Sequence, residues 1–180
     1  MLLETHTQGR VGPISGLKLE MEMVPKSTWG QSLANILPRP VWDTIRREVY
    51  SSSNYCCSAC GDMSSRLNCH EVWDFNDKKR LQILAGFQCL CEDCHRIKHW
   101  GRTSLLISKG ELPKRKEEEL IKHFCQVNRC KKTTFTAHSR KVHSLWAGRS
   151  KVKYTVDFGK FEPSKLIQTW TNLRKEGKIK

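Results

Sequence analysis

The spacing of apolar residues separates the first third of the chain into segments of different predicted structure. Residues 17–23 alternate apolar with charged side chains, which predicts a half-buried strand that ends before Pro25. Residues 41–50 instead carry apolar side chains at helical spacing, which predicts an amphipathic helix. Residues 1–15 show neither periodicity and contain turn-forming residues, so we expect a loose lead-in.

The middle of the chain has the pattern of two strands followed by a helix. Residues 66–75 and 81–90 are predicted strands, and the charged residues 76–80 are predicted to form the turn between them. Residues 91–99 are predicted to be helical, with Gly101 as the stop signal. The order strand, turn, strand, helix predicts a ββα unit.

The remainder of the chain is mainly helical in pattern. Residues 114–128 and 136–148 have apolar faces at helical spacing, residues 152–158 alternate as a strand does, and residues 163–175 predict a final helix with a basic end. The predicted fold class is therefore α+β, a ββα finger with flanking helices and short strands. Four parts follow from these patterns: a loose segment at 1–15, a strand and helix at 16–54, the finger at 55–101, and a helical part with one strand and a basic tail at 102–180.

Composition narrows the class of protein and of partner. The 180-residue chain is 38% hydrophobic with six Trp, which argues against global disorder, and no apolar run approaches the length that spans a bilayer. A net charge of +14 favours a polyanionic partner, nucleic acid above all, although a solvated basic surface or anionic lipid fits the same charge. Nine cysteines and no signal segment predict a reducing cytoplasm.

Two C-x-x-C pairs are the strongest chemical signal in the chain. Cys57 and Cys60 form the first pair, and Cys91 and Cys94 form the second. Four thiolates in two such pairs are typical of a structural Zn²⁺ site with tetrahedral geometry. Reduced, buried cysteines without a metal are the alternative interpretation.

Three histidines near the second pair predict a further cation site. His95 and His99 are four residues apart in a predicted helix and so project from one face, while His70 lies on a strand that the hairpin places beside that helix. Together they can hold a second divalent cation, with Cys69 and Glu71 as additional candidate ligands, although strand alternation points both away from His70. The alternative is a purely structural role for these histidines.

The order of these motifs resembles the HNH endonuclease superfamily over residues 55–100. The resemblance implies a ββα-metal fold in which the four cysteines are structural, His70 is the general base, and His95 with His99 binds the catalytic metal. It also places Lys98 where the family often has a basic residue. The rest of the chain looks like an uncharacterised bacterial or phage group of HNH-like proteins, a likeness that implies no function.

Two positions depart from the pattern of that family. Cys69 stands where the family usually has an acidic residue or histidine, and a thiolate there favours Zn²⁺, Ni²⁺ or Mn²⁺ over Mg²⁺. Gly86 stands where the family has the asparagine that orients the base, and Gln88 is the one carboxamide nearby. Either Gln88 or a backbone carbonyl replaces the asparagine, or His70 acts together with Glu71, or catalysis has been lost.

Several basic and aromatic residues are candidate contacts to nucleic acid. They flank the predicted site or occupy the predicted turn: Lys78, Lys79, Arg80, Lys98 and Trp100. The resulting prediction is a metal-dependent endonuclease that hydrolyses phosphodiester bonds in DNA rather than RNA. The alternative is a catalytically degenerate module that binds nucleic acid or a protein partner, for example an inhibitor of a nucleic-acid-handling machine. The sequence does not indicate an oligomeric state.

Overall fold

The computed structural model describes residues 1–3, 16–63 and 66–179 of the chain. These residues form a mixed α+β structure with a three-stranded sheet, and no helix among them is long and apolar enough to cross a membrane. The elements in chain order are α1 (Leu33–Ile36), α2 (Arg39–Ser52), β1 (Leu67–Asn76), β2 (Leu81–Cys91), α3 (Glu92–Lys98), α4 (Trp100–Ser108), α5 (Arg115–Asn128), α6 (Lys132–Arg149), β3 (Thr155–Asp157) and α7 (Pro163–Lys175), with short 3-10 helices at Lys26–Thr28 and Gly159–Phe161.

The sheet has the order β1-β2-β3, with β2 in the centre. Strands β1 and β2 are antiparallel, and the short β3 runs parallel to the first residues of β2. The register of β1 and β2 shifts between Val72, which lies opposite Gly86, and Trp73, which lies opposite Leu84. Ala85 is thus the extra residue of a β-bulge, and Gly86, which interrupts the apolar pattern of β2, lies beside it, as glycine often does at bulges.

The predicted order of strand, turn, strand and helix is present in the structure. Helix α3 begins directly after β2, and Cys91 at its N-cap accepts a hydrogen bond from the backbone N–H of Cys94. The predicted stop at Gly101 is wrong. His99 breaks the helical path at φ −91° and ψ 40°, and α4 then continues through Gly101. Glycine suits this position because a Cβ there would lie 2.6 Å from the side chain of Met23.

The predicted strand at residues 17–23 is not part of the sheet. Its backbone groups bond instead to other parts of the fold: Leu19 exchanges two hydrogen bonds of 2.9 Å with the side-chain amide of Asn128. Met21 N–H donates to His138 Nε2 at 2.9 Å, and Glu22 N–H donates to the Lys98 carbonyl at 2.8 Å. These bonds satisfy the extended backbone without a neighbouring strand, which is why the alternating pattern did not produce one.

Two hydrophobic clusters stabilise the fold, and both draw on distant parts of the chain. The first packs α2 and α7 against the hairpin and includes Trp42, Trp73 and Leu166. The second surrounds the C-x-x-C pairs and includes Ile97 and Phe124. Because each cluster combines residues from before, within and after positions 55–101, the finger is integrated into one body with its flanking parts.

The start of the chain is better anchored than predicted. Leu2 and Leu3 are buried in the first cluster, and their backbone N–H groups donate to the Glu48 carboxylate at 2.6 and 2.8 Å. The rest of the predicted loose lead-in, residues 4–15, lies outside the described residues. The C-terminal helix has the bounds that its pattern predicted, whereas β3 is shorter than predicted and α6 is longer.

Candidate functional site

The four cysteines of the C-x-x-C pairs converge on one point. Their sulfur atoms all lie within 4.8 Å of one another, and Cys60 Sγ is 3.6 Å from Cys91 Sγ. Two sulfurs bound to one tetrahedral zinc ion at about 2.3 Å are about 3.8 Å apart, so the observed spacing fits a metal ion such as zinc. The site is built by the end of β2, the first turn of α3 and the loop before β1, which the hydrogen bond from Ser58 N–H to the Cys89 carbonyl at 2.8 Å fixes to the strand.

The charges of these thiols also favour a bound cation. Hydrogen bonds from the neighbouring thiols lower the pKa of Cys57, whereas burial raises the pKa of Cys60 to about 12. The pKa values of Cys91 and Cys94 are also raised, chiefly because their protons bond to the Cys57 sulfur. Ionisation of one cysteine therefore makes ionisation of its neighbours less favourable. A divalent cation would neutralise the negative charge of the thiolates and so allow several of them to ionise together.

A histidine on α5 adds a contact to the cysteine cluster that sequence reasoning did not identify. His123 Nε2 lies 3.1 Å from Cys94 Sγ. A hydrogen bond to a ligand sulfur from outside the ligand set orients that sulfur and tunes its charge. The sequence contains no local signal for this contact, because His123 and Cys94 are brought together only by the packing of α5 on α3.

His70, His95 and His99 form the second cluster of converging ligand atoms. One nitrogen of each ring lies within 4.8 Å of the others, and His70 Nδ1 is 3.2 Å from His99 Nε2. Two nitrogens bound to one tetrahedral zinc ion are about 3.4 Å apart, so this spacing also fits a cation. We call these residues the histidine trio. The predicted convergence of the three rings is therefore present, with His70 on β1, His95 in α3, and His99 at the junction of α3 and α4.

The three imidazoles are held in their neutral form. Burial lowers the pKa of His70 well below its usual value, and the charge of Lys98 lowers it further. Part of His99 is exposed, yet the protein around its ring and the neighbouring His70 lower its pKa to about 2, and burial also lowers the pKa of His95. Neutral imidazoles offer lone pairs to a metal ion without first releasing a proton.

Glu22 is a buried carboxylate behind the trio that the sequence analysis missed. Its Oε1 lies 3.4 Å from His70 Nε2, and its Oε2 accepts a hydrogen bond from Trp73 N–H at 3.4 Å. Burial raises the pKa of Glu22, and the positive charge of Lys98 opposes that rise. His70 thus presents Nδ1 to the other histidines, whereas its buried Nε2 lies near the Glu22 carboxylate but makes no hydrogen bond among the described residues. In many metal-binding histidines the second nitrogen donates to such an acid, so a small adjustment of Glu22 would complete that arrangement.

Cys69 and Glu71 are not among the converging ligand atoms of the trio. Cys69 packs against the first hydrophobic cluster, and burial raises the pKa of its thiol. Glu71 Oε1 accepts a hydrogen bond from Ala34 N–H at 3.4 Å, and burial raises its pKa to about 7. Strand alternation turns both side chains away from the ring of His70, yet all three residues line one cleft beside β1, which is an edge strand of the sheet.

A cleft of about 530 Å³ opens above the trio, and both Glu71 and the three histidines line it. Its remaining charged lining consists of four arginines, so we call it the arginine cleft: Arg39, Arg46, Arg66 and Arg102. Arg39 and Arg46 share Asp43 at 2.8 and 3.0 Å, while the charge of Arg102 contributes to the lowered pKa of His95 and His99. This concentration of positive charge matches an anionic ligand.

The structure buries two of the predicted contacts to nucleic acid. Trp100 is buried and packs edge-on against Phe135 with ring centres 5.0 Å apart, and Lys98 is buried beside Glu22. Lys78, Lys79 and Arg80 are exposed in the turn after β1. Their contact with nucleic acid stays a prediction, and the strand places them roughly 25 Å from the trio.

Gln88, the candidate replacement for the missing asparagine, lies directly opposite His70 on β2. Residues paired in this way project from the same face of the sheet. Gln88 Oε1 is nevertheless buried without a hydrogen-bond partner among the described residues, and no side-chain amide among them bonds to His70. The acid Glu22, rather than an amide, therefore contacts the ring.

Comparisons with protein-family models, with curated proteins and with solved structures found no match. The likeness to HNH endonucleases accordingly stays a prediction from the motifs.

We expect Cys94→Ser to lose a bound metal ion and to melt at a clearly lower temperature than the wild type. The reason is that metal binding at a buried cysteine cluster contributes directly to folding energy. Metal content by mass spectrometry and thermal melting check this, with Cys56→Ser as control because Cys56 lies beside the cluster but outside it. Equal melting temperatures of the wild type and Cys94→Ser, with no metal in either protein, would show that the four cysteines do not form a metal site.

We expect Glu22→Gln to remain folded but to bind a divalent probe ion at the trio about tenfold more weakly. Loss of an acid that orients a metal-binding histidine typically costs 10- to 100-fold in affinity. Titration with Co²⁺, followed by its visible absorption, measures this, and Glu117→Gln is a control on exposed α5 surface. Unchanged Co²⁺ affinity would show that Glu22 does not position His70.

Proposed function

We propose that this chain is a metal-dependent endonuclease of the HNH type that hydrolyses phosphodiester bonds in DNA, with structural zinc at Cys57, Cys60, Cys91 and Cys94. The observation that carries the proposal is the position of the histidine trio at the base of the arginine cleft. A site for a divalent cation and a set of phosphate-binding side chains thus share one opening. The ββα order of β1, β2 and α3 and the net charge of +14 support the same class of enzyme.

The arginines of the cleft provide binding and orientation. A guanidinium group donates two parallel hydrogen bonds to a phosphate, so several of them around one opening align a phosphodiester backbone. Arg102 follows His99 by one helical turn on α4 and lies closest in sequence to the trio. His70, His95 and His99 would hold a divalent cation, which would supply Lewis-acid stabilisation of the charge on the phosphoryl group.

The geometry changes the role proposed for His70. Sequence reasoning made it the general base, but its two ring nitrogens face His99 and Glu22. We therefore place His70 among the metal ligands. Glu71 is the one acidic residue among the described residues that line the cleft, and we propose it as the base. In this scheme the oxygen of a water molecule attacks phosphorus, Glu71 takes up the released proton, and the leaving alkoxide is protonated from solvent.

A second candidate function is a non-catalytic module that binds nucleic acid through the same arginines. The observation in its favour is the unpartnered Gln88 beside His70, since no described carboxamide takes the orienting role that the family assigns to asparagine. In that case the trio would hold a structural ion, and the cleft would bind DNA without cleaving it.

We expect the wild type to nick supercoiled plasmid and His70→Ala to be inactive, with Mg²⁺, Mn²⁺, Ni²⁺ and Zn²⁺ tested in turn. If His70 is a ligand, the variant should contain one metal ion where the wild type contains two. Retention of the ion at the cysteine cluster and unchanged melting serve as folding controls.

Two other outcomes would change the assignment. A His70→Ala variant that keeps both ions but does not cleave would return His70 to the role of base. A wild type that carries both ions, binds DNA in a salt-sensitive manner and cleaves nothing would favour the binding module.

We expect Glu71→Gln to retain both metal ions and DNA binding but to lose at least 100-fold in cleavage rate. Removing a general base typically costs 10²- to 10⁴-fold, whereas the amide keeps the size of the side chain. Single-turnover cleavage of labelled single-stranded and duplex oligonucleotides measures the rate. The matched control is Glu117→Gln, and a Glu71→Gln rate within threefold of wild type would exclude Glu71 as the base.

A further inference from the structure

A second cleft adjoins the arginine cleft and differs from it in chemistry. It has a volume of about 790 Å³ and is lined mainly by apolar side chains, so we call it the tryptophan cleft: Met23, Trp29, Leu105 and Trp146, with His99 and Arg102. His99 and Arg102 also line the arginine cleft, so the two clefts share a wall. A ligand that has both a charged and an aromatic part can therefore occupy both at once.

Trp29 presents an aromatic surface whose polar atom is already satisfied. Its side chain is 60% exposed, and Nε1 donates a hydrogen bond to the Val24 carbonyl at 3.1 Å. That bond fixes the ring in one orientation and leaves its apolar face to the solvent. A ring that is held in one orientation before binding loses little side-chain freedom when a flat ligand stacks on it, which favours binding.

Positive charge surrounds the aromatic walls of the cleft. Arg102 lies in the lining, and Lys26 Nζ lies 5.5 Å from the centre of the Trp146 ring. The one acid in the lining, Glu22, is largely buried and directs its carboxylate to His70. An occupant should accordingly combine a flat apolar ring with nearby negative charge, which is the chemistry of a nucleobase attached to its phosphate backbone.

We propose that the tryptophan cleft binds an unpaired base of single-stranded DNA whose phosphates lie in the arginine cleft. This inference rests on the proposed function, because it specifies the substrate class of the same site. In a fully paired duplex the bases are stacked on one another and cannot enter a cleft beside the backbone. Trp29 and Trp146, which line the cleft, would provide the aromatic surface for such a base, whereas Trp100 is buried.

The test is binding of fluorescein-labelled oligonucleotides, measured by anisotropy without added divalent metal. The probes are a 12-mer of thymidine, an abasic 12-mer of equal charge, and a hairpin duplex. The wild type should bind the thymidine strand about tenfold more tightly than the abasic strand, which is within the range for base stacking on aromatic side chains. Trp29→Ala should lose this preference while retaining its affinity for the abasic strand, which also shows that it is folded.

Two matched variants complete the design. Trp29→Phe should retain most of the preference, because a phenyl ring still stacks. Tyr55→Ala should behave as the wild type, since Tyr55 is equally exposed at 59% but lies outside the cleft. Equal affinity of wild type and Trp29→Ala for the thymidine strand would overturn the inference, as would a hairpin duplex that binds as tightly as the single strand.

The outcome can be separated from that of the proposed hydrolysis. If the wild type prefers the thymidine strand to the abasic strand but cleaves DNA with none of the metals, the base-binding site is supported and the nuclease is rejected. If it cleaves DNA but shows no such preference, the nuclease is supported and the base-binding site is rejected.

Discussion

The close approach of four cysteine thiols is the constraint on which the rest of this structure depends. Cys57, Cys60, Cys91 and Cys94 approach within 4.8 Å of one another, and each thiolate makes the next harder to form. A bound cation would remove that conflict and would join a loop, the end of the central strand and the start of α3. The cysteines would then set the direction in which α3 leaves the sheet, since a seven-residue helix has little stability of its own.

The histidine trio depends on that direction. His95 lies on α3 and His99 directly after it, and they meet His70 only because the helix passes beside β1 at one angle. The extended segment at 19–22 then covers the trio from behind and brings Glu22 to His70. The backbone of this segment is bonded to Asn128, His138 and Lys98, so three helices hold the acid in place. The geometry of the site is thus determined by long-range contacts as much as by its own residues.

The sequence predicted those parts of the structure that depend on residues close to one another in the chain. The hairpin, α2, α5, α7 and both groups of converging ligands follow from apolar periodicity or from spacings of three and four residues. The segment at 17–23 was misassigned because an alternating pattern indicates an extended chain but does not identify its hydrogen-bond partner, here more than a hundred residues away at Asn128. Glu22 was missed for the same reason.

The burial of Lys98 and Trp100 could not be predicted from their positions in the sequence. A pattern can place them near the site, but only the packing of α5 and α6 on this part of the chain determines that both are buried. The arginine cleft likewise joins side chains from α2, the residue before β1 and α4, with no motif to connect them. Charge composition indicated a polyanionic partner without indicating which of the many basic residues would face it.

Cys94 and His95 are neighbours in α3, so the two clusters of converging ligand atoms share one short helix. If both clusters bind ions, the ion at the cysteines would hold the helix that presents His95 and His99, whereas the ion at the trio would not be needed to hold the cysteines together. Loss of metal from the trio would then leave the body of the protein folded, and loss of metal from the cysteines would affect both clusters.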